Sequence, residues 1–199
     1  MNREIKEYIE NNIKLIDNNQ WEELFDYYKH KIIPLGVGGV LYQAGIYFLD
    51  HINYIPRCAF SDCEALTNIT IPDNITKIGA STFAGCFNLK NIIMSDFNNV
   101  EEIEIYAFSG CNSLTKIILP NVKIIRSNAF RGCCNLKTII LGKNVTSIEK
   151  DAFTKLPDNF EIYYQGTKNE WKQIYKPANF EGLYFTVHCS DGDIIKRKR

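Results

Sequence analysis

Charge of one sign is what this 199-residue chain lacks: 23 Lys and Arg balance 23 Asp and Glu, for a formal net charge of zero. No global field draws it to nucleic acid or an anionic membrane. Histidine is scarce; His30, His51 and His188 are the only three, which leaves few bases to activate a nucleophile. No apolar run is long enough to cross a bilayer. The opening residues MNREIKEYIENN mix charges where a secretory leader needs an apolar stretch, so a cytoplasmic location is expected. The stretch Gly36-Val37-Gly38-Gly39 lacks the Lys and Ser/Thr of a phosphate-binding loop. Without a leader, the N-x-[ST] sites at Asn68, Asn74 and Asn144 read as chance matches, and the basic run Lys196 to Arg199 as a solvated end.

What is present is repetition. The stretch Ala107 to Pro120, AFSGCNSLTKIILP, has near copies on both sides. Phe60, Phe83, Phe108, Phe130 and Phe153 are spaced 23, 25, 22 and 23 residues apart, inside the window of leucine-rich repeats. Each Phe follows a small residue, with an Ile five positions before it (Ile55, Ile78, Ile103, Ile125, Ile148). Downstream, four units place Cys63, Cys86, Cys111 and Cys133 at one offset and Leu66, Leu89, Leu114 and Leu136 at the next. Ile69, Ile92, Ile117 and Ile139 follow, then Ile71, Met94, Leu119 and Leu141, with the alternation of a strand buried on one face. Gly85, Gly110 and Gly132, with Asp62 in their place in the first unit, mark tight turns of positive φ. One unit cannot bury its own apolar side, so successive coils must stack, their strands about 4.8 Å apart in a parallel sheet.

The pattern V-x-x-I-x-x-x-A-F-x-G-C-x-x-L-x-x-I-x-L-P, as it stands from Val100 to Pro120, resembles the BspA-type leucine-rich repeat family. The resemblance covers residues 52 to about 165 and implies a repeat solenoid that acts as a binding surface. The closing residues Tyr164 to Trp171 and Val187 to Gly192 resemble the tail of many bacterial members, which implies a bacterial or bacteriophage source. The expected architecture is a helical cap over 1–31, a solenoid of leucine-rich-repeat coils with a parallel β-sheet over 32–165, its first coil degenerate, and a helix/strand cap with the basic tail over 166–199. Helical spacing of Ile5, Ile9, Ile13 and Ile16, then of Trp21, Leu24, Phe25 and Tyr28, predicts helices at about 3–16 and 20–30. Near the other end, Thr167 three residues before Glu170 predicts a capping box ahead of Trp171 and Ile174. The segment Leu183 to Ile195 reads as two short strands about an Asp-Gly turn.

The seven cysteines are read as reduced thiols, four of them filling a narrow interior corner. Their spacing matches no metal signature, and no metal or cofactor is expected. Cys134 and Cys58 lie off the column and are the accessible candidates. His188 beside Cys189 is the one suggestive catalytic pair, yet neighbours in a strand face opposite ways. The chain is therefore read as no enzyme, with a Cys-dependent enzyme using Cys189 or Cys134 as the lesser alternative.

Between the buried strand positions an outward ladder is expected: Thr70, Ile93, Ile118, Ile140 and Tyr163. Stacked isoleucines there would form an apolar stripe of the kind that marks protein contact, rimmed by Asn68, Asn91, Lys116, Thr138 and Glu161. The reading is a protein-binding module, an inhibitor, decoy or scaffold, whose partner is another protein, with a homodimer as an alternative. A basic or aromatic track recurring coil by coil is missing, which argues against nucleic acid. Adhesion or carbohydrate binding through Tyr163, Tyr164 and Trp171 is the other alternative.

Overall fold

The structure, a computed structural model, describes residues 53–64, 66–177, 180 and 185–195. The segments expected to form two N-terminal helices, nearly all of the expected degenerate first coil, and the basic tail lie outside the described residues. In chain order the strands are β1 (Tyr54–Ile55), β2 (Asn68–Thr70), β3 (Lys77–Ile78), β4 (Asn91–Ile93), β5 (Glu102–Ile103), β6 (Lys116–Leu119), β7 (Ile124–Ile125), β8 (Thr138–Leu141), β9 (Ser147–Ile148) and β10 (Glu161–Tyr164). Helix α1 (Lys168–Gln173) and strands β11 (Thr186–Cys189) and β12 (Gly192–Ile195) follow.

Two ladders result. The short strands form one parallel sheet in the order β1-β3-β5-β7-β9. The longer ones form β2-β4 and, beside it, β6-β8-β10-β11-β12. Pairing is parallel between coils, Ile69 with Ile92 and Ile117 with Ile139, because each coil brings the same strand around in the same direction. Ladder hydrogen bonds lapse between β4 and β6, in the coil that carries extra residues before Val100. The buried Asn98 side chain holds that longer loop, donating to the carbonyls of Ile71 and Pro72 at 3.2 and 3.3 Å and accepting from the Val100 amide at 2.9 Å.

Between the ladders lies one core. The rings of Phe60, Phe83, Phe108 and Phe130 stack at centroid spacings of 5.3, 5.2 and 5.3 Å with nearly parallel planes. Phe130 to Phe153 tilts at 5.9 Å as the regular coils end. Ile55, Ile78, Ile103, Ile125 and Ile148 are fully buried. In the second described coil Ile92 and Met94 are only half-buried, so the ladder is thinner there than the alternation implies. Thr82 stands where the other coils carry Ala; its buried hydroxyl donates to the carbonyls of Gly79 and Pro56 at 2.7 and 3.0 Å, so it leaves no orphaned polar group.

Each coil turns around its Phe through two left-handed residues. Two positions after Phe stand Asp62, Gly85, Gly110, Gly132 and Lys155, all with φ between 56° and 74°. Two positions before it stand Cys58, Ser81, Tyr106, Asn128 and Asp151, with φ of 55–60°. The first set matches the glycine signal; the second uses side chains that carry a Cβ and sit there under strain.

At the C-terminal end Thr167 caps α1. Its hydroxyl accepts from the Glu170 amide at 3.2 Å, while Glu170 accepts from the Thr167 amide at 2.7 Å. That backbone donor holds the Glu170 carboxyl below its usual range. Trp171 and Ile174 are buried against the last coil. β11 and β12 form the antiparallel hairpin about the Asp-Gly turn, and β11 also pairs in parallel with β10.

Candidate functional site

Alternation along the longer strands puts Ile69, Ile117, Ile139 and Ile162 inward and Thr70, Ile93, Ile118, Ile140 and Tyr163 outward. Parallel register then aligns the outward residues across coils: Thr70 with Ile93, Ile118 with Ile140, Ile140 with Tyr163. Ile93 is 55% exposed, and Ile118 and Tyr163 are each 41% exposed. Ile140, in the middle, is half-buried by its neighbours. The flanking column is Asn68, Asn91, Lys116, Thr138 and Glu161, with Asn91 donating to the Asn68 side-chain oxygen at 2.6 Å.

The column does not end at Tyr163. His188 of β11 is in register with it, and their rings stack at 4.4 Å between centroids. Asp193 of β12 comes next, its Oδ1 lying 3.0 Å from His188 Nδ1. An ionised carboxylate only accepts, so Nδ1 carries the proton. Nε2 is closed off from solvent without a hydrogen-bond partner and lies 3.8 Å from Glu161 Oε1. Glu161 Oε2 accepts from the Tyr163 hydroxyl at 3.1 Å, and this carboxylate pushes the Tyr163 hydroxyl above its usual range. Sequence reasoning missed His188 and Asp193 as members of this face. The signal was present: in Thr186-Val187-His188-Cys189 the buried Val187 copies the place of Ile162.

The thiols point elsewhere. Cys86, Cys111 and Cys133 are fully buried, and each donates to the carbonyl of the Phe one coil back, Phe60 at 2.9 Å, Phe83 at 3.2 Å and Phe108 at 3.0 Å. Hydrogen bonding with Cys133 and burial hold the Cys111 thiol far above the ordinary thiol range. Cys63 is only half-buried, so the first member of the column is a partial filler, and Cys58 is half-buried rather than open. Cys134 is exposed. Cys189 packs against the core while His188 faces out, and burial, with Asp191 nearby, raises the Cys189 thiol. Such thiols are poor nucleophiles at neutral pH. Among the described residues no three His, Cys, Asp or Glu side chains are placed to hold a metal ion.

Tyr164 and Trp171 are buried and pack on each other at 5.4 Å, which removes them from any carbohydrate platform and leaves Tyr163 alone outside. No helix among the described residues is long and apolar enough to cross a membrane.

Comparison with solved structures finds similar coils. A leucine rich cell surface protein of Faecalibacterium prausnitzii A2-165 is 30% identical over 62% of this chain and 32% of that one, with a TM-score of 0.58. A leucine rich repeat protein of T. pallidum is 27% identical over 56% of this chain and 52% of that one, with a TM-score of 0.53. The chain thus spans about a third and a half of the length of these two relatives. No curated protein matches. Six copies of the repeat described as the BspA type leucine rich repeat region match residues 43–158, so the chain belongs to the BspA-type leucine-rich repeat family.

Proposed function

We propose that the chain is a non-enzymatic protein-binding module that works through the outward face of its longer strands. The observation that carries the reading is the register of Ile118, Ile140 and Tyr163, with exposed Ile93 on the neighbouring strand, side chains that an isolated wetted sheet would replace with polar ones. Asn91, Lys116 and Glu161 rim this stripe, the arrangement of an interface with an apolar centre and a polar edge. The buried, carbonyl-bound thiols favour a scaffold over a Cys-dependent enzyme. Inhibitor, decoy and scaffold roles all use such a face. A second reading, attachment at a cell surface, is favoured by the likeness to the Faecalibacterium cell surface protein.

The test is capture from the source cell with wild type, with the double variant Ile118→Glu/Ile140→Glu, and with Lys123→Ala on the opposite ladder. A protein held by the first and third and lost from the second supports the reading, provided circular dichroism shows all three folded. Equal capture by all three overturns it.

A further inference from the structure

Among the described residues the continuous part of the face runs β12, β11, β10, β8, β6, so β8 stands between β10 and β6. On β8 the outward residue is Ile140; one strand away on either side stand Ile118 and Tyr163. In the flanking column the same two strands carry Lys116 and Glu161, opposite charges at equal distances from the centre, about 4.8 Å each by strand spacing. Among the described residues Lys116 has no acidic partner in salt-bridge range, and Glu161 meets only the Tyr163 hydroxyl and His188.

A surface with this arrangement is complementary to itself. A twofold axis lying along β8 reverses the order of strands but keeps the columns, so a second copy laid face to face brings Ile140 onto Ile140 and Ile118 onto Tyr163. The same operation sets Lys116 opposite Glu161 twice. Apolar side chains then oppose apolar or aromatic ones, and the two unlike charges find each other. From β6 through β8 to β10, parallel pairing holds the face at strand spacing. A net charge of zero adds no long-range repulsion between copies.

We propose that a second copy of this chain docks on this face, in the register centred on Ile140, as a weak isologous dimer. The proposal rests on the reading of the face as a protein-binding surface and names its occupant. The strands of this face are short, so the dimer belongs with weak, transient associations and is sought at about 10–1,000 μM.

Sedimentation velocity of the full chain over a concentration series decides it. Wild type is expected to move from monomer to dimer within that range. Lys116→Glu and Glu161→Lys, each alone, place like charges together at both ends and are expected to weaken the dimer about tenfold or more. An equimolar mixture of the two single variants restores unlike pairs at both ends and is expected to recover wild-type association, as is the double variant Lys116→Glu/Glu161→Lys. Ile118→Glu/Ile140→Glu, with a native circular dichroism spectrum, is expected to stay monomeric. A wild type that remains monomeric overturns the self-pairing and leaves the protein-binding reading to the capture experiment, which then identifies a different partner. A dimer indifferent to the single charge reversals, or one that the mixture fails to restore, overturns the register and with it the proposal. A dimer that survives the isoleucine substitutions shows that copies meet elsewhere and overturns it too.

Discussion

The Cys111 thiol donates to the carbonyl oxygen of Phe83, 3.2 Å away in the preceding coil. The same bond recurs one coil on, from Cys133 to Phe108 at 3.0 Å. The sulfur thus meets a backbone acceptor on the inside of the turn while filling a fully buried position. Cys111→Ala removes both effects and is expected to cost about 1–2 kcal/mol in urea unfolding, and Cys111→Ser, which keeps a donor, less. In native protein, alkylation followed by mass spectrometry should mark Cys134 first, and Cys86, Cys111 and Cys133 only on unfolding. Labelling of the buried three at the rate of Cys134 would mean that the coils open without unfolding.

Lys155 has φ of 57° at the turn position that three other coils fill with glycine. Its Cβ crowds the carbonyl in that conformation, at about 1–2 kcal/mol in an L-residue. Lys155→Gly relieves this at some cost in unfolded-chain entropy, and a net gain of ~0.5–1 kcal/mol is expected. Thermal melting of the two proteins checks the sign; a loss of stability would show that the Lys155 side chain holds something in the last coil that outweighs its backbone.

The repeating core was readable because a solenoid presents the same environment once per coil, so Phe60 to Phe153 and Ile55 to Ile148 recur where the same pocket recurs. The short ladder was visible only as buried isoleucines, since two-residue strands are too brief to show alternation. Its outward charges went unread: Lys77, Glu102 and Arg126 belong to three coils, and Arg126 stands at a different offset from its Phe than the other two, so no single column joins them. The continuation of the longer sheet into β11 was hidden because α1 intervenes and Val187 alone carries the buried pattern. His188 was therefore weighed as a partner for Cys189, its neighbour in sequence, when its neighbour in space is Tyr163. The apolar column itself was legible because period two fixes which residues face out.

Arg126 joins two carboxylates from different coils, with Nε 2.6 Å from Glu102 Oε1 and Nη1 2.6 Å from Glu149 Oε1. Burial by itself pushes the Glu102 carboxyl up, but Arg126 and Lys77 outweigh it and hold that carboxyl below its usual range. A carboxyl lowered on folding stabilises the protein above its unfolded value, near ~4.3, and loses that contribution as pH falls through the lower folded value. Arg126→Met is expected to cost about 1 kcal/mol at neutral pH, a small figure because the guanidinium is partly open to water. The gap between variant and wild type should close as pH drops from ~5 to ~3, and should narrow in high salt. Urea midpoints across that range are the measurement, and a gap that stays constant would show that Arg126 acts through packing of its stem.

Gly142 tests how closely the coils are packed. A Cβ at this position would lie 1.7 Å from the Pro120 carbonyl oxygen and 2.6 Å from its carbon, while the Gly142 amide donates to Leu119 at 3.1 Å. The obstacle is backbone, which cannot rotate aside as a side chain would, so Gly142→Ala has to push the third and fourth described coils apart. A loss of about 2–4 kcal/mol is expected, at the upper end of overpacking costs. Gly132 offers the control: no heavy atom lies within 4 Å of its added Cβ, but its φ is 73°, so Gly132→Ala incurs only the left-handed strain of ~1–2 kcal/mol. The two variants also differ in kind. Separation of the coils loosens the ladder between β6 and β8, so Gly142→Ala should raise hydrogen exchange at Thr138 and Ile140, whose amides face β6, whereas Gly132→Ala should leave those amides protected. Equal losses with equal exchange would mean that the contact with Pro120 yields easily, and that the strand ladder, not the close backbone approach, sets the distance between coils.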